Sequence, residues 1–275
     1  RRREGGAASA RSLLLTVLGE FVFPRHAPVW TSVLVGALAE LGVEEKAARQ
    51  ALARTAAEGL LVSDRLGRRV CWSLTPAGST LLEEGTQRIY GFMREQRRWD
   101  GRWLVLVVTV PEAQRQIRHR LRTRLTWAGL GSPAPGLWVV PDARKEAELA
   151  GIVTELGVES YAFSWVGTAG AVGDEQRVVA SAWPLDEVER GYEDFKDRYA
   201  TLAVRTAAEA FAAQVQLVQE WRRFPFVDPA LPAELLDHDW PGPEAARTFH
   251  RQHDTWHPAA QAHWESLCEA ASIRS

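Results

Sequence analysis

Apolar residues recur at three- and four-residue intervals in three successive segments near the start of the chain. This spacing places them on one face of a helix, so it predicts three amphipathic helices. The predicted buried stripes are Leu14, Val17, Leu18 and Phe21, then Trp30, Leu34, Ala37, Leu38 and Leu41, and then Ala48, Leu52 and Ala56. A short turn, Leu41-Gly42-Val43, separates the second helix from a third that we expect to begin at Glu44, since glycine readily takes the left-handed conformation that ends a helix.

Alternating residues after the third helix predict a β-hairpin, which we call the wing (Gly59–Leu74). Two strands, Gly59–Arg65 and Arg68–Leu74, flank a tight turn at Leu66-Gly67. Helix, glycine turn, helix and hairpin together are the pattern of a winged helix-turn-helix, whose second helix lies in the major groove of DNA.

The residues that would meet DNA are mostly cations. Arginine pairs with guanine and glutamine with adenine, while exposed arginines on a hairpin suit phosphate or minor-groove contacts. We therefore predict DNA contacts from the third helix and from the wing: Arg49, Gln50 and Arg54, and Arg65, Arg68 and Arg69. An ordinary solvated hairpin is the alternative for the wing.

The middle of the chain alternates short strands and helices, which predicts a ferredoxin-like α+β unit. The expected elements are strand Trp103–Val110, a helix from Pro111 to Trp127, loop Gly129–Gly136, strand Leu137–Val140, helix Asp142–Leu156 and strand Val158–Val166. The first helix is rich in arginine and is either a solvated outer face or an anion-binding surface. Because no carboxylate ends the first strand, we disfavour a metal-dependent nuclease in this unit.

The last third is predicted to be mainly helical. One helical pattern opens at Pro184 and continues past Leu202 to Trp221, and a proline-rich irregular segment then precedes a final helical region. That region carries four histidines: His250, His253, His257 and His263. No His-Glu-x-x-His motif is present, so we assign no metal site and treat the histidines as structural, with a metal site as the alternative.

Charge is distributed unevenly along the 275 residues. Residues 1–100 hold 15 Lys and Arg against 11 Asp and Glu, whereas residues 186–275 hold 9 against 16. A polyanion would therefore meet the N-terminal third. No apolar run is long enough to span a bilayer, and the two cysteines, Cys71 and Cys268, form no disulfide framework, so we expect a cytoplasmic protein.

Several motifs together resemble the PaaX family of bacterial repressors. They extend from about Ser9 to Leu267, and the C-terminal series is the most specific. The motifs are Arg49–Arg54, Gly59-Leu60-Leu61, Leu74–Gly78, Trp99–Trp103, Gly136–Val139, Glu220–Pro225 with Asp228-Pro229 and Leu231-Pro232, and Asp239–Gly242 with Ala246-Arg247.

The resemblance implies three parts: a winged helix-turn-helix over 9–95, a ferredoxin-like dimerisation and effector domain over 99–180, and a C-terminal helical domain over 181–275. It also implies a homodimer on a palindromic operator that an aryl-acyl-CoA-type effector releases, with no catalytic residues and no cofactor. Candidates for the effector phosphates are Arg118, Arg122, Arg222 and Arg223. Salt bridges to the acidic C-terminal part are an equal alternative for the last two. A metal-dependent nuclease or hydrolase is the second candidate function.

Overall fold

The computed structural model describes residues 9–94 and 98–273, and it is a mixed α+β protein. The elements up to residue 94 are α1 (Ala10–Val17), β1 (Val29–Trp30), α2 (Thr31–Glu40), α3 (Glu45–Ala57), β2 (Leu61–Leu66), β3 (Arg69–Leu74) and α4 (Pro76–Gly91). The central elements are β4 (Trp103–Val108), α5 (Arg115–Trp127), β5 (Gly131–Ala134), β6 (Leu137–Val140), α6 (Glu146–Glu155), β7 (Ala162–Gly167) and α7 (Glu175–Ala182). The remaining helices are α8 (Leu185–Ala200), α9 (Ala207–Trp221), α10 (Phe224–Val227) and α11 (Gly242–Ile273). No helix in the described ranges is long and apolar enough to cross a membrane.

The described residues divide into two compact units. Of the described residues, the first unit contains 9–94, 194–223 and 244–273, and the second contains 98–193 and 224–243. The C-terminal helices α9 and α11 therefore share one unit with the N-terminal helices and the wing.

The N-terminal helices bury most of the apolar stripes that their spacing predicts, although Leu41 and Ala56 are only partly buried. Leu14, Leu34 and Ala48 have no exposed surface, and α1 packs against both α3 and α9. One position was predicted wrongly. Trp30 lies in β1, paired antiparallel with Cys71 of β3, and α2 begins only at Thr31. A strand of two residues is too short to show an alternating pattern, so the prediction counted Trp30 as part of the helical stripe of α2.

A hydrogen-bonded turn joins α2 to α3. After α2, the Val43 amide donates to the Leu38 carbonyl at 3.0 Å and the Gly42 amide donates to the Ala39 carbonyl at 2.9 Å. Gly42 has a φ of +80°, which a side chain would strain. This 6→1 and 5→2 pairing is the Schellman motif, and it fixes the direction in which α3 leaves α2.

The base of the wing is joined to the start of α4. The Thr75 hydroxyl donates to the Gly59 carbonyl at 2.6 Å and accepts from the Gly78 amide at 3.0 Å, so it caps α4. The Thr75 amide donates to the Leu60 carbonyl at 3.1 Å. Gly78 packs so closely that an added β-carbon would lie 2.1 Å from the carbonyl oxygen of Leu60.

The second unit contains a four-stranded antiparallel sheet in the order β5-β6-β4-β7. One face packs on α5 and α6 around Leu104, Leu106 and Leu125. The opposite face buries Trp103 against Trp183. The prediction of a loop over Gly129–Gly136 was wrong, because Gly131–Ala134 forms the edge strand β5. Pro133 in this strand is compatible with an edge position, because an edge strand has one side on which no backbone N–H is needed for pairing.

The long helix predicted from Pro184 to Trp221 is interrupted. It stops at Ala200, and α9 begins at Ala207 after Thr206. Thr206 forms a capping box with Glu209, in which each side chain accepts from the other's backbone amide. Such a box satisfies orphan amides at a helix start, and it therefore defines a new helix here.

Candidate nucleic-acid interface

The outward face of α3 is polar and open. Ala48, Ala51, Leu52 and Thr55 point into the first unit and are buried. The exposed residues of the helix are Glu45, Lys46, Arg49, Gln50, Ala53, Arg54 and Ala57. The three predicted contact residues of this helix therefore lie together on one exposed surface, and Lys46 adds a fourth polar group that the sequence analysis did not assign.

An acidic residue near each end of α3 forms an ion pair with an arginine. The Arg49 Nε contacts the Glu45 carboxylate at 2.8 Å, one turn earlier. Both side chains are more than half exposed, so this pair is screened by water and exchanges readily with a stronger anion. At the other end Glu58 pairs with Arg11 of α1. The two acidic residues therefore engage cations of the protein, and Gln50 and Arg54 stay open to solvent.

The arginines of the wing split into two groups. Arg65 and Arg68 are exposed near the turn, which the structure places at Gly67-Arg68, one residue later than predicted. Arg69 instead contacts Trp30 and the last helix, α11, within the first unit. Its guanidinium lies 3.9 Å from the centre of the Trp30 ring and donates to the Ala271 carbonyl at 2.6 Å. The structure therefore brings two of the three predicted wing cations to the tip.

Two of the predicted effector arginines line one cavity in the second unit. The cavity has a volume of about 560 Å³ on the outer side of α5, and its lining residues are Glu112, Arg115, Arg118, His119 and Arg122. Four cationic or potentially cationic groups against one carboxylate make the lining attractive to an anion. Arg124 is directed elsewhere, because it forms a 2.6 Å salt bridge to Glu155.

The other two predicted effector arginines lie in the first unit, where α9 ends. Arg222 is partly buried, and its guanidinium contacts the Thr16 hydroxyl of α1 at 3.4 Å. Burial and the positive charge of Arg11 lower the pKa of Arg222. Arg223 is exposed. Arg222 and Arg223 thus belong to the first unit, whereas Arg118 and Arg122 belong to the second.

The four histidines of α11 have different surroundings. His253 and His257 stack at a ring distance of 5.1 Å, whereas His263 Nε2 lies 2.7 Å from the Glu40 carboxylate. His250 packs edge-on against Phe249. The four histidines thus form one pair, His253 and His257, with His250 and His263 in other contacts.

The histidine pair faces a buried carboxylate that the sequence analysis missed. Glu20 Oε2 lies 3.0 Å from His253 Nε2, and Tyr90 donates to Glu20 Oε1 at 2.7 Å. Burial favours a raised pKa, but these contacts and the charge of His253 outweigh it and hold the pKa of Glu20 below its usual value. The available signal was a single acidic residue inside the apolar run Leu13–Phe23.

Comparison with known proteins gives a consistent assignment along the chain. Residues 9–78 match the model of the PaaX-like protein, residues 96–179 the PaaX protein central Cas2-like domain, and residues 183–266 the PaaX-like protein C-terminal domain. The transcriptional repressor PaaX of Escherichia coli (strain K12) is 30% identical over 265 residues, which cover 92% of this chain and 82% of that repressor.

A solved structure has a similar fold. It is the uncharacterized protein Rv0674 from Mycobacterium tuberculosis, with a TM-score of 0.64 and 22% identity, covering 94% of this chain and 99% of the other. At that identity the likeness concerns the fold alone. The match to three family models in chain order, together with the identity to the Escherichia coli repressor, shows that this chain belongs to the PaaX family.

Proposed function

We propose that this protein is a DNA-binding transcriptional repressor. The observation that carries the proposal is the exposed face of α3, where Arg49, Gln50 and Arg54 stand together directly before a hairpin with Arg65 and Arg68 at its tip. Arg and Gln are the side chains that pair bidentately with guanine and adenine in the major groove. Identity to a repressor over most of the chain supports the same conclusion.

The N-terminal segment would act as a winged helix-turn-helix. In this arrangement α3 enters the major groove and the wing tip contacts the adjacent backbone. Arg65 and Arg68 are the wing residues we assign to DNA. Arg69 would instead hold the wing to the body through Trp30 and the Ala271 carbonyl.

The central unit would be ferredoxin-like and would contribute to dimerisation. A homodimer on a palindromic operator must place its two recognition helices about 34 Å apart to reach successive major grooves. A ligand that binds two dimer arrangements with different affinity would shift the protein between them, and this is how an effector would release DNA.

The effector we propose is an anionic thioester of the aryl-acyl-CoA type. The open depression at Arg115, Arg118 and Arg122 is the better candidate for its phosphates, because three arginines are exposed there side by side. Arg222 is a weaker candidate, since it is partly buried and already contacts Thr16.

A metal-dependent nuclease or hydrolase is not favoured. Among residues 9–94 and 98–273, the one group of side chains that could converge on a metal is Glu20, His253 and His257, in the first unit. None of these belongs to the ferredoxin-like sheet. The strand β4 runs into Thr109, Val110 and Pro111, so the chain after it supplies no carboxylate of the kind such nucleases use.

A gel shift with the DNA upstream of the protein's own gene tests the proposal, with and without a panel of acyl-CoA thioesters. We expect a discrete complex at nanomolar protein that one thioester of the panel dissolves, while free CoA does not. A protein that binds this DNA no better than an unrelated fragment would contradict the repressor function. Specific DNA binding that no thioester affects would contradict only the effector.

A further inference from the structure

A largely buried polar cluster lies inside the first unit. Its members come from four separate segments: Glu20 follows α1, Tyr90 is in α4, Gln214 is in α9, and His253 and His257 are in α11. Only 8% of the Glu20 side chain and 14% of the His253 side chain are exposed. An isolated charge at such a place is costly, so it needs either a counter-charge or a metal.

The donor atoms of the cluster converge on one point. One atom each of Glu20, His253 and His257 lies within 4.8 Å of the others. His253 presents Nε2 to the Glu20 carboxylate at 3.0 Å, and His257 presents Nδ1 to the Gln214 amide at 3.3 Å. A four-coordinate Zn²⁺ with bonds of about 2.0–2.1 Å needs ligand atoms roughly 3.3 Å apart. Two imidazoles and one carboxylate are a donor set that Zn²⁺ and similar ions use.

The backbone is shaped to bring these ligands inward. Glu20 lies in a π-helical turn, Leu18–Val22, and single π-turns are rare and occur preferentially at functional sites. His253 and His257 are four residues apart on α11, so their rings project from the same face. Pro258 follows directly, and because it has no N–H it leaves the helical hydrogen bond to Asp254 unmade.

Hydrogen bonding alone does not complete the cluster. The nitrogen of the fully buried Gln214 amide lies 2.8 Å from Glu20, 3.3 Å from His257 and 3.4 Å from His253, and its two hydrogens can serve at most two of these three partners. Its oxygen, Oε1, finds no donor among the described residues. Turning the amide over would aim this oxygen at the Glu20 carboxylate and the two imidazoles, an orientation that a cation held between them would favour.

We propose that Glu20, His253 and His257 bind one divalent transition-metal ion, with Zn²⁺ as the expected occupant and Gln214 at the fourth position. The ion would fasten the segment that follows α1 to α11 and so join the DNA-reading helices to the C-terminal helix. Its role is structural rather than catalytic, because Glu20 is buried and both histidines are largely enclosed between helices. This role is independent of which operator or effector the protein binds.

The full-length protein tests the site directly. Chelator-treated protein is titrated with ZnCl₂ and dialysed, and its zinc content is measured by mass spectrometry. We expect one zinc per chain and a rise in the thermal midpoint of about 5–10 °C at a zinc concentration one hundred times the dissociation constant. X-ray absorption of the zinc-loaded wild type should show two imidazoles and oxygen ligands at about 2.0–2.1 Å. This measurement requires no variant to fold.

Variants identify the ligands. Glu20→Gln and His257→Asn should weaken zinc binding by more than about 100-fold, since loss of an outer-shell partner alone costs 10–100-fold. His263→Asn is the matched control, because this histidine lies on the same helix but contacts Glu40, and it should keep full zinc content. Absence of stoichiometric zinc would mean a hydrogen-bonded network only and would overturn the proposal. Equal zinc in all variants, or sulfur ligands in the absorption spectrum, would overturn it as well.

Discussion

The close approach of Gly78 to the wing gives the sharpest stability prediction. A β-carbon at this position would lie 2.1 Å from the Leu60 carbonyl oxygen and 3.0 Å from the carbonyl carbon. Both atoms belong to backbone, which cannot rotate away as a flexible side chain would. Gly78→Ala therefore forces β2 and α4 apart by about 1 Å, and overpacking of this kind costs about 1–3 kcal/mol.

The same movement weakens the cap of α4. The Gly78 amide donates to the Thr75 hydroxyl, and loss of such a cap adds about 1 kcal/mol. We therefore expect Gly78→Ala to lower the free energy of unfolding by about 2–4 kcal/mol. Gly85→Ala is the matched control, since Gly85 is in the same helix and nothing lies within 4 Å of its added β-carbon. Alanine at an open helix position should raise stability by about 0.5–1 kcal/mol.

Urea unfolding of the full-length chain, followed by circular dichroism and tryptophan fluorescence, measures both variants. The two substitutions are chemically identical and should shift the unfolding midpoint in opposite directions. If Gly78→Ala were as stable as the wild type or as Gly85→Ala, the close packing of α4 on Leu60 would be refuted.

Three further outcomes follow from single contacts. Thr206→Ala removes one half of the capping box with Glu209 and should cost about 1 kcal/mol in urea unfolding, while Thr206→Ser should restore most of the loss. Burial raises the pKa of Asp228 despite a hydrogen bond from Tyr192, so the folded state holds this proton more tightly than the unfolded state. Stability should therefore fall as pH rises from about 3.9 to the raised pKa, and Asp228→Asn should show a flatter dependence than the wild type in urea midpoints over that window. Arg68→Ala should weaken DNA binding to a similar extent across sequences and reduce the slope of log affinity against log salt by about 1, which anisotropy titrations at several salt concentrations will measure.

The N-terminal organisation could be predicted because its signals are local. The stripes of α2 and α3, the turn at Gly42 and the cap at Thr75 each depend on residues within one or two turns of one another. Periodicity and turn chemistry report such short-range preferences directly. The exposed positions of Arg49, Gln50 and Arg54 followed from the buried stripe of the same helix.

Other features could not be predicted because they depend on partners that are distant in sequence. The strand β1 exists only because β3 pairs with it, and the pairs Val29 with Trp72 and Trp30 with Cys71 are 43 and 41 residues apart in the chain. Arg69 resembles any other cation of the wing until Trp30 and the carbonyl of Ala271 are seen to bind it.

The cluster at Glu20 illustrates the same limit within the candidate metal site. The acidic residue and His253 are 233 positions apart, so no spacing rule connects them. Helical spacing places His250 on the same side of α11 as His253 and His257. Spacing shows which side of a helix a residue occupies, but not which residues of other helices pack against it. The structure separates His250 from the pair.

The central claim is that α3 reads the operator, and one binding experiment tests it most directly. Fluorescence anisotropy with labelled operator DNA compares the wild type with the double variant Arg49→Ala and Arg54→Ala, after circular dichroism has shown that both are folded. We expect the double variant to lose discrimination between the operator and unrelated DNA, because each bidentate base contact contributes about 1–3 kcal/mol. Operator affinity and specificity equal to those of the wild type would contradict the assignment of α3 as the recognition helix.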